Sequence, residues 1–306
     1  MNNDQNTVFA KVMLAGEYGV IVGGTGLTIP LRCFSASLRE RSSDKVSPDE
    51  SHSNTELKRL AVYLAGLPGT SFHARPQHEK LAGQLEKGLW ISSDIPRGYG
   101  IGSSGAVSAL IYRHFFEGTD RLEPAKQKED LGLIESCFHG KSSGVDALSC
   151  FRGKPLLFTE DGGIEETELD MSNLPGEYRM FLYDSGITLE TAPMVAWFLK
   201  QMEQSYFASP VRHDYLHMNR LFIEALLRRK EADPAMLFRA ISDFQYTHFF
   251  KMIPEEVRDL WIEGQVSNDY YLKINGSGGG YLLGIVYNGL TEQVEERMGK
   301  ERIIWL

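Results

Sequence analysis

The sequence predicts an α+β protein of two packed lobes. Strand-like runs with two or three helices fill the first half. Four helical segments follow in the second half, and strand-like runs close that block at both ends. At roughly 100–200 residues per domain, a chain of 306 residues suits one large or two medium domains. The boundary falls near residues 170–178, around Pro175-Gly176.

Val8–Gly16 is a short apolar strand broken by Lys11, and Leu31–Leu38 is strand-like after a glycine-containing stretch. Glu40–Glu56 shifts to Ser, Asp, Glu, His and Asn, the composition of a mobile surface loop. Leu57, Leu60, Ala61 and Leu64 have helical spacing, which predicts a helix over 56–67. Leu89–Ile95 is a strand; Ser104–Phe116 and Asp130–Phe138 are helices; Pro155–Thr159 and Met180–Tyr183 are strands. The helical block comprises Thr191–Phe207, His213–Lys230, Pro234–Phe250 and Pro254–Val266. Pro234 and Pro254 suit first-turn positions, where a missing N–H is not needed. Tyr270–Asn275, a glycine turn, Tyr281–Tyr287, a helix over Thr291–Met298 and a strand at Ile303–Trp305 end the chain.

The formal net charge is −9, which disfavours nucleic acid, because phosphate contacts need clustered Lys and Arg. The densest basic run, Arg228-Arg229-Lys230, suits a helix C-terminus. Three cysteines, with no C-x-x-C, favour buried thiols over a disulfide framework or a zinc site. The N-terminus has no basic segment before its apolar run, and no stretch approaches about 18 apolar residues. A cytosolic location is the expectation.

Pro96–Leu110 reads PRGYGIGSSGAVSAL and holds G-x-G-x-x-G at Gly100, Gly102 and Gly105. A dinucleotide turn needs a second strand and an acid about 20 residues on; here Phe116 is followed by the polar run EGTDRLEPAKQKED. The simpler reading is an anion cradle. Glycines let a ligand approach the backbone, and Ser103, Ser104 and Gly105 open a helix whose N–H groups and dipole favour phosphate. Ser104 could offer its hydroxyl to a phosphate-bound Mg²⁺, or serve simply as an N-cap.

In Leu133–Asp146, Glu135 lies on a helix and Asp146 follows a polar loop, just before an apolar run. A carboxylate entering apolar surroundings needs a partner. That marks Asp146 for paired or catalytic work, with a helix N-cap as the alternative. Gly140–Gly144 spells G-x-S-x-G, which would open a serine hydrolase reading, but helical residues precede it where an elbow needs a strand. Lys141-Ser142 resembles a P-loop end, but Glu135 stands where that pattern needs glycine. In Lys273–Leu283, four glycines in five positions, Gly276, Gly278, Gly279 and Gly280, suggest close backbone approach, or else a flexible hairpin.

Together with Ala10–Val20, these stretches resemble the three motifs of the GHMP small-molecule kinases, in order and over essentially the whole chain. His139-Gly140-x-x-Ser143-Gly144-x-Asp146, with Glu135 four residues before it, is most similar to the mevalonate kinase branch. The segment Ser185–Val195 resembles that branch's run to a substrate-side threonine, Thr191. Tyr18 stands where that branch usually has His, Gly105 where Ala is usual, and Leu189 where Arg is frequent; Tyr99 is larger than usual. Gly-Glu-Tyr and Gly105 both resemble phosphomevalonate kinases.

The resemblance implies a two-lobed fold with a strand-rich N-terminal ATP-binding domain over residues 1–174. A helix-rich, ferredoxin-like C-terminal domain would cover 175–306. It implies transfer of the ATP γ-phosphoryl group to an alcohol, foremost mevalonate in isoprenoid precursor synthesis, with phosphomevalonate or another acceptor as the alternative. An inactive sensor on the same fold is the rival of another class. ATP would be wrapped by Pro96, Gly98, Gly100, Ile101, Gly102, Ser103, Ser104, Gly105 and Ala106. Ser104 and Glu135 would hold Mg²⁺. Asp146 would accept the alcohol proton, or at least orient the hydroxyl, beside Lys11. Lys11, inside an apolar strand, would otherwise be a solvated edge-strand residue. Glu17, Tyr18, His139 and Thr191 would contact the acceptor, although His139 also suits a structural hydrogen-bonding role. The turn containing Gly276, Gly278, Gly279 and Gly280 would back the phosphate loop. The expected partner is a small-molecule alcohol, neither nucleic acid nor membrane, and a homodimer is a candidate assembly.

Overall fold

The computed structural model describes residues 6–41, 46–175 and 177–306. Its strands are β1 (Thr7–Ala15), β2 (Gly26–Arg39), β3 (Arg75–Pro76), β4 (Trp90–Ser93), β5 (Phe116–Glu117), β6 (Leu156–Phe158), β7 (Ile164–Glu166), β8 (Tyr178–Asp184), β9 (Tyr270–Ile274), β10 (Tyr281–Tyr287) and β11 (Ile303–Trp305). Its α-helices are α1 (Pro48–Gly66), α2 (His78–Glu86), α3 (Ser103–Phe115), α4 (Pro124–His139), α5 (Val145–Arg152), α6 (Thr191–Gln201), α7 (Ser205–Pro210), α8 (Leu216–Leu226), α9 (Pro234–His248), α10 (Arg258–Ser267) and α11 (Thr291–Met298). The chain forms two compact units, each discontinuous in sequence. The first runs up to Lys11 and takes in Pro30–Pro96 and Gly102–Lys154; the second takes in Val12–Ile29, Arg97–Ile101 and Pro155–Leu306. The fold class is α+β, as expected.

In the first unit, residues 36–39 of β2 pair antiparallel with β4, and β3 pairs with β5. Helix α3 is the centre of this unit, packed on α4 and α5. Ala106, Ala109, Leu110, Ile111, Tyr112 and Phe115 are all buried, so the helix is apolar nearly all round, as an internal helix must be. Among the described residues, five helices precede residue 153, more than the two or three read from pattern. Helices α2 and α5 were missed because nine and eight residues give too few turns for a periodic signal.

The polar stretch Glu40–Glu56, expected to be a mobile loop, is helical from Pro48 onward. Ser47 Oγ accepts the Glu50 N–H at 3.2 Å, and the Glu50 carboxylate accepts the Ser47 N–H at 3.0 Å. This capping box, with Pro48 in first position, starts α1 despite the polar composition. Residues 42–45 of the same stretch lie outside the described residues.

In the second unit, residues 26–28 of β2 pair with β6, which pairs with β7, all antiparallel. Strands β8–β11 form an antiparallel sheet in the order β11-β8-β10-β9. The helices between β8 and β9, and α11 between β10 and β11, give this sheet the expected ferredoxin-like connectivity. Helices α9 and α10 cover β9, which is buried along its length. The helix expected over 191–207 is split into α6 and α7, and a π-helix at Val211–Tyr215 precedes α8. Among the described residues, no helix is long and apolar enough to cross a membrane.

Candidate functional site

Each compact unit gathers one group of the predicted residues. In the first, Lys11 on β1 is buried, and its Nζ lies 2.9 Å from Asp146 Oδ1. It is therefore no solvated edge lysine. Its stem lies under Gly102, where an added Cβ would sit 3.1 Å from Lys11 Cγ. Asp146 is the second residue of α5, whose N-cap is Gly144, so the acid is not the cap. An acid in the first turn of a helix suits the dipole.

Ser104 occupies the first turn of α3, whose N-cap is Gly102, a residue with no side chain to cap with. The Ser104 hydroxyl turns instead to Glu135 on α4, donating to Oε1 at 2.9 Å. Ser142 donates to the other oxygen, Oε2, at 2.6 Å. Burial, and then the charge of Asp146, push the Glu135 carboxyl up to about 7; the two hydroxyls and Lys11 pull the other way. Cys150, fully buried beneath this group, has its thiol pushed up by burial and by Asp146.

Mg²⁺ can be tested against these donors. Ser104 Oγ and the Glu135 carboxylate are oxygens, the ligand type Mg²⁺ takes. Burial first, and the neighbouring Asp146 second, raise the affinity of Glu135 for a proton, and a divalent cation would offset both. The residues fit. Among the described residues, no group of three or more His, Cys, Asp and Glu is placed to hold a metal alone. Mg²⁺ usually rests on one or two protein carboxylates, with waters and substrate phosphates for the remainder.

The second unit contains the other group. Glu17 and Lys273 form an ion pair with no solvent exposure on either side chain. The Gly16–Tyr18 turn is clamped by the π-helix and α8. Asn219 Oδ1 accepts the Gly16 N–H at 3.0 Å, and Tyr215 donates its hydroxyl to Glu17 O at 3.0 Å. Tyr18 takes φ 59°, uncommon for a residue other than glycine. Its hydroxyl donates to Ser277 O at 2.9 Å, and its ring packs on Phe198 and Phe249. Burial, and then the charge of Glu17, push the Tyr18 phenol upward, so it remains a donor. Thr191, the first residue of α6, donates to Ser277 Oγ at 3.3 Å.

The turn at 275–280 and the stretch at 97–101 are in close backbone contact. A Cβ on Gly276 would lie 2.6 Å from Gly100 Cα, and the Tyr281 N–H donates to Tyr99 O at 3.3 Å. Only glycine permits this approach. The Tyr99 ring meets Tyr281 at 5.2 Å, which gives that larger residue a packing role.

Of the remaining predicted residues, Ile101 and Ala106 have buried side chains, so only their backbone can face a ligand. Pro96, Ser103 and Gly98 are half-buried. His139 ends α4, and its side chain lies outside the described residues. The G-x-S-x-G stretch follows helix α4, where a hydrolase elbow needs a strand. Among the described residues, the only strand soon after α3 is the two-residue β5, paired antiparallel with β3, which does not make the parallel unit of a dinucleotide fold.

Sequence reasoning missed Ser142, Lys273, Tyr215, Asn219 and Gln245. Gln245 joins the clamp by donating to the Tyr215 hydroxyl oxygen at 2.9 Å and accepting the Ile274 N–H at 2.7 Å. Lys273 carried a usable signal, since it interrupts the apolar run Tyr-Tyr-Leu-Lys-Ile as Lys11 interrupts β1.

Residues 73–154 match the family model described as the GHMP kinases N terminal domain. The full chain has the GHMP kinase fold. It is similar to an L. major mevalonate kinase in complex with R-mevalonate, at 15% identity and TM-score 0.65, over 98% of this chain and 94% of that one. It is similar to a Streptococcus pneumoniae phosphomevalonate kinase in complex with phosphomevalonate and AMPPNP, at 14% identity and TM-score 0.65, over 98% and 97%. It is also similar to a Lactococcus lactis galactokinase complexed with galactose, at 12% identity and TM-score 0.65, over 98% and 92%. At such identities the likeness establishes the fold. No curated protein sequence matches the chain.

Proposed function

We propose that this chain is an ATP-dependent small-molecule kinase that transfers the γ-phosphoryl group to an alcohol, foremost mevalonate, giving 5-phosphomevalonate. The observation that carries the proposal is the sealed Lys11 against the reachable Asp146, with Ser104 and Glu135 hydrogen-bonded in the same unit. Phosphoryl transfer needs positioning and charge stabilisation more than covalent chemistry, and this group is equipped for both.

In this reading Pro96–Ala106 wraps the triphosphate, chiefly through backbone N–H groups at the start of α3. Ser104 and Glu135 would hold Mg²⁺, which when bound would neutralise phosphate charge. Asp146 takes the proton of the acceptor hydroxyl as its oxygen attacks the γ-phosphorus. The bond from that phosphorus to the bridging oxygen breaks, and ADP leaves. Lys11 stabilises the negative charge that develops on the acceptor oxygen. Glu17, Tyr18 and Thr191 are proposed to shape the acceptor side, and His139 to join them. The turn at Gly276–Gly280 supports the loop from behind. The two family domains are proposed as 1–174 for ATP binding and 175–306 for the C-terminal domain.

Phosphomevalonate is the second reading, on the strength of Tyr18 after Gly-Glu. The experiment is an ADP-release assay with mevalonate, phosphomevalonate, homoserine and galactose. Turnover with mevalonate above the rest supports the first reading, and turnover with phosphomevalonate above the rest selects the second. Absence of turnover with all four, despite ATP binding, overturns the kinase proposal in this form.

A further inference from the structure

Glu135 is held from two sides. Ser104, at the start of α3, donates to Oε1 at 2.9 Å; Ser142, in the loop between α4 and α5, donates to Oε2 at 2.6 Å. The two hydroxyls are not equivalent. Ser142 Oγ also accepts the Gly144 N–H at 3.0 Å, so one lone pair is occupied and its proton is directed to Glu135. The Ser142 backbone is fixed as well: its N–H donates to Ser136 Oγ at 3.1 Å, and the Ser136 hydroxyl donates to Gly132 O at 2.6 Å. Ser142 is thus anchored to the last turns of α4 through Ser136 and to the N-cap of α5 through Gly144.

We propose that Ser142 is a positioning residue for the cation site, holding the Glu135 carboxylate in the orientation that presents Oε1 beside Ser104. This rests on the proposed role of Glu135 and Ser104 as Mg²⁺ ligands. With the Ser104 oxygen and Glu135 Oε1 offered to the cation, the Ser142 hydroxyl on Oε2 would keep the carboxylate aimed. Such partners of metal ligands tune affinity by orienting the ligand. Gly144, the partner of Ser142, lies two residues before Asp146, so one hydroxyl joins the metal carboxylate to the start of the helix that carries the proposed base.

The test is Mn²⁺ binding to the full chain without nucleotide, read from the electron paramagnetic resonance signal of free Mn²⁺, with thermal melting as a check on folding. Ser142→Ala is expected to weaken Mn²⁺ binding by about tenfold or more, the usual scale for a lost partner of a metal ligand. Ser142→Thr, which keeps the hydroxyl, is expected to restore most of it. Glu135→Gln is expected to abolish it. Unaltered affinity in Ser142→Ala, with loss in Glu135→Gln, overturns the role of Ser142 alone. Unaltered affinity in both variants, or no Mn²⁺ binding by the unaltered chain, overturns it together with the metal role of Glu135. Because this readout needs no turnover, failure of every acceptor in the ADP-release assay is a separate result.

Discussion

Lys11 and Asp146 form an asymmetric pair: the ammonium is 2.9 Å from the carboxylate, yet the lysine side chain is 1% exposed and that of the acid 36%. The cation is sealed into the protein and its acid can be reached from outside. A purely structural ion pair has no need of this arrangement, whereas a proton acceptor with a fixed counter-charge does.

Asp146→Asn is therefore expected to lower turnover by about 10²-fold or more, the scale of a lost general base. ATP affinity should change little, because the phosphates are assigned to the backbone of the loop. Steady-state kinetics and calorimetric titration with ATP measure the two effects, and an unchanged turnover number would remove Asp146 from its role.

Glu135 gives a pH signature. Its folded-state carboxyl is raised to about 7 from an ordinary 4.5. A group raised in this way contributes stability below its unfolded value and loses it as pH rises through the folded value. Without divalent cations, the melting temperature of the unaltered chain should fall relative to Glu135→Gln between about pH 5 and about pH 8. Added Mg²⁺ should relieve the loss at the upper end. Parallel melting curves for the two proteins across this range would contradict the assignment.

Gly105 tests how tightly α5, the helix of the proposed base, is seated. A Cβ at this position would lie 2.9 Å from the Asp146 carbonyl carbon and 3.0 Å from the Ala147 nitrogen, both backbone atoms. Alanine gains about 1 kcal/mol of helix propensity but overpacks at about 1–3 kcal/mol. Gly105→Ala should thus lose about 0–2 kcal/mol of stability, while α5 shifts and turnover falls by about tenfold, since misplacement by 1 Å can cost about 10²-fold. Denaturant unfolding and kcat, measured together, separate these effects. Full activity would show that α5 accommodates the methyl without moving Asp146.

Glu17 and Lys273 form a pair whose removal should be felt unequally. Breaking a fully buried ion pair from one side costs about 3–5 kcal/mol, because the remaining charge has lost its partner. Lys273→Met alone should show a loss of this order in chemical denaturation. Glu17→Leu combined with Lys273→Met should recover most of it. Additive losses in the double variant would argue against the pair as a unit.

The sequence disclosed the parts of this protein that have a period or a motif. The strands β9 and β10 and the helix α11 follow their patterns closely; Lys11, Ser104 and Asp146 were singled out from residue type and context and Glu135 from the family resemblance, and the structure pairs Lys11 with Asp146 and Ser104 with Glu135. Partnerships with no fixed spacing stayed hidden. Glu17 and Lys273 are 256 residues apart, and Gly16 and Asn219 are 203 apart, so nothing local to either announces the other. Ser142 was hidden differently, because Gly140–Gly144 imitates two unrelated motifs. The helix at Pro48 was masked by composition, although Ser47 and Glu50 hold the spacing of a capping box. In that case local hydrogen-bonding geometry outweighed bulk polarity.

The discontinuity of the two units orders events during synthesis. Every segment of the first unit has been made once Lys154 leaves the ribosome. Val12–Ile29 and Arg97–Ile101, though made early, belong with a body whose remainder is the 152 residues from Pro155 to Leu306. At about 5–20 residues per second, that remainder takes roughly 8–30 s to make. Glu17, on one of them, meets Lys273 only near the end of that interval. The nascent chain thus carries a charged strand turn, without its counter-ion, for most of its time on the ribosome.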